Sequence, residues 1–558
     1  MFYRGISTTS KFFPKRINNK QLKNLTTPEL LSECGFISQP NAGLTNWLPL
    51  GKSVLDSISK IIHRRHKESG CIEVELSSLS NEKLWKKTGR WDNDELYKID
   101  EFCLAATAEE EMTQLVHSKI KSYKQMPIIM YQLTRKYRKE KRARGGLLRG
   151  REFVMKDAYS YDYNKEAALN SFEKMNKIYS EIFNDLKLPW IKANADSGSI
   201  GGDLSYEWHI VSEVGEDTLV ECDQCGSCGN IEKVKSIKMN EETKGKANNA
   251  GFSDEANVSY WLGKDSGELI AIYWPKGRRL SLKFVKEEEL VEIDEKLQGD
   301  KAIEAYKQLY IERDGLVKMI RLVDIGVGPG TKMPDLPDDV GFSRNRMITF
   351  EGLDITEAQD KDQCEKCGGS LKEKKGVEVG HTFYLGTKYS ESMDAKFMSN
   401  DNTQQFYEMG CYGIGVSRLV GVIAETMRDS NGLKWPAAIA PVQISLISTR
   451  ENLEKPQVKE LALALESNQL RTEVNDDGTD FGRAIHASKV CGVPLQVIIG
   501  NKFPQVEIEI RGEFFTQDWQ QLQKSNGKEW GWEIQEKDKH LVHIDHCGEV
   551  LKELIKNM

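Results

Sequence analysis

Apolar residues Val54, Leu55, Ile58, Ile61 and Ile62 recur at the spacing of one helical face, and the IEVEL run after them is extended, so a long helix leading into a strand is predicted. Phe172, Met175, Ile178, Tyr179, Ile182, Phe183 and Leu186 mark a second one-sided helix that stops at Pro189. Between them, RKYRKEKRARGGLLRGREFVMKDAYSYD (Arg135 to Asp162) reads as an antiparallel hairpin. It holds an R-x-E step at Arg138 and Glu140 and a loop carrying Arg142, Arg144, Arg149 and Arg151. Its return strand, REFVMKDAYSY, alternates as a half-buried strand does.

The second half of the chain changes rhythm. A polar stretch, MNEETKGKANNAGFSDE, precedes strand-like ELIAIYW and KMIRLVDIG around a helical, acidic middle. VEVGHTFYLGTKYSE then alternates as a strand, and GCYGIGVSRLVGVIAE joins a glycine-spaced strand to a helix with Val416, Leu419, Val420 and Ile423 on its buried side. Arg418 falls in that helix's first turn, on the opposite face. After Trp435, Pro436 and the IAP run, QISLIS, LRTEVNDD and PLQVIIG alternate with helices, the pattern of a small α/β module with a mixed sheet.

A chain of 558 residues exceeds one hydrophobic core, and 39% hydrophobic with 29% charged residues belongs to a globular protein. No apolar run approaches the roughly 20 residues that cross a bilayer, so no membrane association is expected. The net charge of -7 excludes nucleic-acid binding by bulk attraction; such contacts must come from local basic patches. Arg4, Lys11, Lys15, Arg16, Lys20 and Lys23 precede the first acid, Glu29, among serines, threonines and phenylalanines. This is the composition of a mitochondrial presequence, and the mitochondrial matrix is the expected location.

Five of the eleven cysteines fall in two close clusters, which favours metal binding over a disulfide framework. CDQCGSCG supplies Cys222, Cys225 and Cys228, and CEKCGG supplies Cys364 and Cys367. Two C-x-x-C-G turns suit one tetrahedral Zn²⁺. Arg138, a fixed fork of donors charged at any physiological pH, suits a phosphate. CLAATAEEEMT, taken alone, reads as the capped start of an acidic helix, with Thr107 as the cap. DSGSIGGDLSYEWHIV is glycine-rich but lacks the pattern of a phosphate-binding P-loop.

The hairpin resembles motif 2 of the class II aminoacyl-tRNA synthetases. Together with GLTNWLPLG, GHTFYLGTKYSE and GCYGIGVSR it is similar, in order over nearly the whole chain after about residue 30, to the bacterial-type prolyl-tRNA synthetases. The resemblance implies an α+β protein with a class II antiparallel-sheet catalytic domain, an inserted α/β domain and a C-terminal α/β anticodon-binding domain. The expected boundaries are a presequence at 1–28, a catalytic domain in two parts at 29–234 and 373–434, an insertion at 235–372 resembling a diverged editing domain, and the anticodon-binding domain at 435–558. The long helix and strand resemble motif 1, which implies a homodimer, although Ser77 stands where the family has a proline.

By the same resemblance the substrates are L-proline, ATP with Mg²⁺, and tRNA(Pro). Arg138 and Arg418 are the implied catalytic arginines. Thr107, Glu109, Arg138, Glu207 and His381 would bind proline, while Arg138, Glu140, Arg151, Phe153, Gly413, Gly415 and Arg418 would bind ATP. Cys222, Cys225, Cys364 and Cys367 match paired family cysteines as zinc ligands, with Cys228 as a spare. The rival expectation is a catalytically inactive, synthetase-like RNA-binding or accessory protein, which would have lost the motif arginines.

Overall fold

The computed structural model describes residues 19–143, 145–202, 204–237, 252–337, 340–475 and 480–558. Most of the expected presequence, Arg144 and most of the polar stretch from Met239 lie outside them. The chain divides into two compact units, one of Met1–Trp190, Ser197–Ile210 and Glu378–Met558, the other of Ile191–Asp196 and Val211–Val377.

The first unit is built on a sheet whose strands run, side by side, Ile72–Glu73, Ile128–Tyr137, Glu152–Asp162, Glu408–Gly415 and the later half of Leu371–Gly386, which Leu204–Val211 also pairs. All these neighbours are antiparallel from Ile128–Tyr137 to Leu371–Gly386, while the two-residue edge strand is parallel to its partner. The helix Pro49–Glu68 starts on a proline that needs no N–H partner there and buries Val54, Leu55, Ile58, Ile61 and Ile62 as the spacing predicts. The helix Lys165–Asp185 is capped by Asn164, whose side chain accepts from Ala167 N–H at 2.8 Å, and buries the predicted face from Phe172 to Phe183.

The return strand of the hairpin departs from its half-buried reading. From Lys156 to Asp162 every residue is buried, because the strand lies inside the sheet with both faces covered. Its polar side chains find partners nearby. Lys156 donates to the Tyr179 hydroxyl at 2.8 Å and the Tyr412 carbonyl at 3.0 Å, Asp157 pairs with Lys136 at 3.0 Å, and Asp162 accepts from Ser171 at 2.7 Å.

The same unit carries the expected C-terminal module. Thr472–Val474, Ile444–Ser448 and Leu495–Ile499 are parallel, and Gln505–Ile510, Lys539–His543 and Glu533–Glu536 continue the sheet antiparallel. The helices Pro456–Ser467 and Ile544–Asn557 put Leu461, Leu465, Val550, Leu551 and Leu554 into its core.

In the second unit, ELIAIYW and KMIRLVDIG form the strands Leu269–Pro275 and Met319–Asp324, parallel neighbours in a five-stranded sheet with the helix Asp300–Glu312 against it. Asp217–Cys222 pairs with the start of Leu371–Gly386, so this unit extends on both sides of the 235–372 segment.

Candidate active site

Register across the sheet organises the first unit's cleft. Gln132, Asp157, Gly413 and His381 are successive cross-strand neighbours and share one face. At Gly413 a Cβ would meet only the Met155 sulfur at 4.0 Å, so the sheet there offers backbone and open space to a flat ligand. Two residues along, Tyr159, Cys411 and Phe383 form the next row on that face. The other direction leads through Met155 and Gly415 to Phe153 and the helix Val416–Met427, with Arg418 in its first turn.

Arg138 follows directly on the strand Ile128–Tyr137, its backbone N–H held by the Arg151 carbonyl at 3.0 Å. Its guanidinium lies over the Phe153 ring, 5.4 Å from the centroid, and forms no hydrogen bond or ion pair with any described residue. Burial lowers its pKa; the charges of Glu95, Glu378 and Glu109 oppose this and that of Arg418 adds to it. Arg418 therefore lies close enough to act on Arg138 as a like charge. Arg418 is oriented by the Leu148 carbonyl at 2.8 Å and the Glu378 carbonyl at 2.7 Å, with the Glu378 carboxylate at 3.5 Å. No described residue bonds its Nη2.

Glu140 and Arg151 shape the arginine loop. The Glu140 carboxylate accepts from Arg149 Nε at 2.8 Å and from the Arg142 backbone at 3.1 Å, and the bond from Arg149, with burial opposing, holds it below the usual carboxylate range. Arg151 is committed to the Glu140 and Ala42 carbonyls, at 3.1 and 3.2 Å.

Thr107 and Glu109 lie at the start of the helix Glu109–Lys119, but Thr107 is not its cap. Ala108 occupies that position, and its N–H donates to the Tyr159 hydroxyl at 2.9 Å. Arg90 reaches in from the LWKKTGRW run, donating Nη2 to Thr107 at 2.9 Å and Nη1 to Glu109 at 3.0 Å and Glu110 at 3.1 Å. Glu109 is fully buried and its other oxygen faces the Cys411 thiol at 3.3 Å.

Glu207 and His381 are also together, beside Glu378. His381 stacks on Phe383 at 3.7 Å, shares a hydrogen with Ser205 at 2.6 Å, and faces Glu378 at 3.3 Å and Glu207 at 3.8 Å. Burial works against ionisation of Glu378, yet the His381 hydrogen bond and the charges of His381, Arg418 and His209 win and hold it at about 2. Arg90 and Glu378 were missed by sequence reasoning. Their only local signal is the basic-aromatic Arg90–Trp91 step and the alternation of VEVGH, neither of which points to a partner.

In the second unit the four predicted cysteines meet. All four sulfurs lie within 4.8 Å of one another, Cys222 3.4 Å from Cys367 and Cys225 3.9 Å from Cys364. Each knuckle turns at a glycine in the left-handed region, Gly226 (φ 66°) and Gly368 (φ 75°), which lets both thiols face one point. Cys228 points elsewhere, packing with Ala193 and Leu219, and burial pushes its thiol up to about 12.

The tRNA synthetase class II core domain (G, H, P, S and T) matches residues 92–256 and the anticodon binding domain matches 437–523. The probable mitochondrial proline–tRNA ligase of Saccharomyces cerevisiae is 40% identical over 100% of both chains. The proline–tRNA ligase of Aquifex aeolicus is 33% identical over 88% of this chain and 92% of its own. Among solved structures, Giardia lamblia prolyl-tRNA synthetase in complex with prolyl-adenylate shares the fold at 14% identity, with a TM-score of 0.58 over 98% of this chain and 80% of that one. The Cryptosporidium parvum enzyme complexed with L-proline and AMP does so at 13% identity and 0.56, over 95% of this chain and 75% of that one.

Proposed function

This chain belongs to the proline–tRNA ligases of the class II aminoacyl-tRNA synthetases, and we propose from that premise how its residues divide the reaction. The protein is an aminoacyl-tRNA ligase that uses ATP with Mg²⁺ to join L-proline to tRNA. The proline carboxylate oxygen attacks the α-phosphorus of ATP and pyrophosphate leaves, giving prolyl-adenylate. A terminal ribose hydroxyl of the tRNA then attacks the prolyl carbonyl and AMP leaves.

Most of the protein's work is positional and electrostatic. The guanidinium of Arg138, which no described residue bonds and which lies over Phe153, is the observation that carries the assignment: it can donate to the carboxylate and α-phosphate oxygens together. Phe153 stacks the adenine, Gly413 and Gly415 let the nucleotide approach the sheet, and Glu140 with Arg151 holds the loop around it. Arg418 offers Nη2 to the γ-phosphate. Glu109 and Thr107 receive the ring ammonium of proline, with Glu207 and His381 lining the pocket. Mg²⁺, when bound, neutralises phosphate charge, and the carboxylates of Glu207 and Glu378, clustered with His381, offer oxygen donors that fit it. The rival of an inactive accessory protein predicts lost arginines, whereas Arg138 and Arg418 are both retained.

Zn²⁺ fits Cys222, Cys225, Cys364 and Cys367, since a tetrahedron with Zn–S of about 2.3 Å has S···S edges near about 3.8 Å. Homodimer formation is supported by the sheet edge at Ile72–Glu73, where Ile72 is 47% exposed, and by the adjoining cavity of about 790 Å³ that Trp47, His63, Leu133 and Arg135 help to line. We place the enzyme in the mitochondrial matrix, with a presequence cut upstream of Leu22, a residue already buried in the fold. No helix among the described residues is long and apolar enough to cross a membrane. Residues 437–558 would read the anticodon of tRNA(Pro).

ATP–pyrophosphate exchange measured with each of the twenty amino acids, together with charging of mitochondrial tRNA, tests this. Exchange above background with proline alone is expected. Exchange with another amino acid instead, or with none, would overturn the assignment.

A further inference from the structure

Two consecutive glutamates, Glu109 and Glu110, are fully buried at the amino-acid pocket, and a single guanidinium serves both. Arg90 has its Nη1 on both carboxylates and its Nη2 on the Thr107 hydroxyl. Its plane is held between the faces of Trp85 at 4.8 Å and Tyr389 at 5.7 Å, so it is fixed rather than free to bind ligand itself. Thr88 gives Glu110 a further bond at 2.7 Å, while the second oxygen of Glu109 faces the weak thiol donor of Cys411. Two carboxylates and one guanidinium leave one negative charge, and Glu109 has the spare acceptor capacity.

We propose that Arg90 is a positioning residue of the amino-acid pocket: it fixes Thr107 and Glu109 in one arrangement and offsets one of two adjacent carboxylates, so that the pocket offers a single charge to the amino group of its substrate. The proposal rests on the roles given above to Thr107 and Glu109. Burial works against ionisation of Glu109, and the Arg90 charge with the bonds from Thr107 and Arg90 outweighs it; Glu110, buried beside that charge, is pushed up. The other titratable groups around the cluster are Cys103, Glu111, Arg138, Tyr159, Tyr161, Lys388, Tyr389 and Cys411. Without Arg90 the two carboxylates would share a proton.

The test is proline-dependent ATP–pyrophosphate exchange from about pH 6 to about pH 9 with R90Q, R90K, R90Q/E110Q and E109Q. R90Q is expected to raise the proline KM about 30-fold at neutral pH, with the ATP KM changed by less than roughly 3-fold. Its proline KM should fall as pH rises and the shared proton is lost. R90Q/E110Q, with one carboxylate and no guanidinium, restores the charge balance but not the fork, and should recover to within about 10-fold of wild type. R90K keeps the charge but cannot fork across three acceptors, so a rise of about 10-fold is expected, and it decides the matter should R90Q not fold. A wild-type proline KM in R90Q or R90K, or a double variant no better than R90Q, overturns the proposal. E109Q separates the two layers: if it binds proline normally, the pocket assignment itself fails, whereas an impaired E109Q beside an unaffected R90Q removes Arg90 alone.

Discussion

Replacing Glu111 by glutamine should stabilise the protein in alkaline solution and leave it unchanged in acid. Glu111 is the third acid in the first turn of the helix Glu109–Lys119, a position that normally favours negative charge. Here both carboxylate oxygens are buried with no well-formed hydrogen bond from a described residue; the nearby Trp85 indole N–H is donated to Ser80 at 2.7 Å. Burial, with the Glu110 charge adding to it, raises the group from 4.5 to about 7. Each tenfold change in that equilibrium is worth about 1.4 kcal/mol, so ionising Glu111 in the fold costs about 3 kcal/mol relative to the unfolded chain. The native state holds the proton longer than the unfolded state does. Stability from this group is therefore greatest below 4.5 and is lost as pH rises through about 7. Glu111→Gln keeps the shape and the neutral hydrogen-bonding capacity of the protonated acid, so it removes only that loss. Urea midpoints, with hydrogen exchange of the helix amides as a local readout, should agree within about 0.5 kcal/mol at about pH 4 and differ by up to about 3 kcal/mol at about pH 8 in favour of the variant. An equal gap at both pH values, or a wild type more stable at the higher one, would refute the reasoning.

Three further outcomes are expected. Arg138→Ala should lower proline-dependent exchange by at least about 10³-fold with an unchanged melting profile, since it removes a guanidinium that bonds no described residue, and near-normal exchange would take Arg138 out of the chemistry. Metal analysis of the purified protein should find about one zinc per chain, lost in Cys364→Ser and kept in Cys228→Ser; metal-free wild-type protein would dismiss the site. Ile72→Lys, at the exposed sheet edge, should shift the protein from dimer to monomer in sedimentation velocity, and a variant that still sediments as a dimer would move the interface elsewhere.

What the sequence made legible is what repeats locally or has fixed chemistry at short spacing. The buried faces of Pro49–Glu68 and Lys165–Asp185 follow from the 3.6-residue period, and the C-x-x-C-G turns point to a cysteine cluster, the quartet of Cys222, Cys225, Cys364 and Cys367 being what the family resemblance implies. The pairing of Arg90 with Thr107, Glu109 and Glu110 was not legible. It spans 17 to 20 positions with no period, and nothing in LWKKTGRW distinguishes an arginine that will be held between two rings from one left in water.

The strand Glu152–Asp162 shows why alternation fails where a site is built. A period of two separates core from solvent only if one face of the sheet is wet. Here one face packs on Lys165–Asp185, where Lys156 meets Tyr179. The opposite face carries Asp157 and Tyr159, and these do not point to water either: Asp157 accepts from Gln132 and Tyr159, and Tyr159 in turn holds the N–H of Ala108, between Thr107 and Glu109. A polar residue in that pattern is a support for the pocket, not a mark of exposure. The bonds that replace water for Asp157 thus also set the loop that places Glu109, so the polarity that obscured the strand's burial is the same polarity that orients the site.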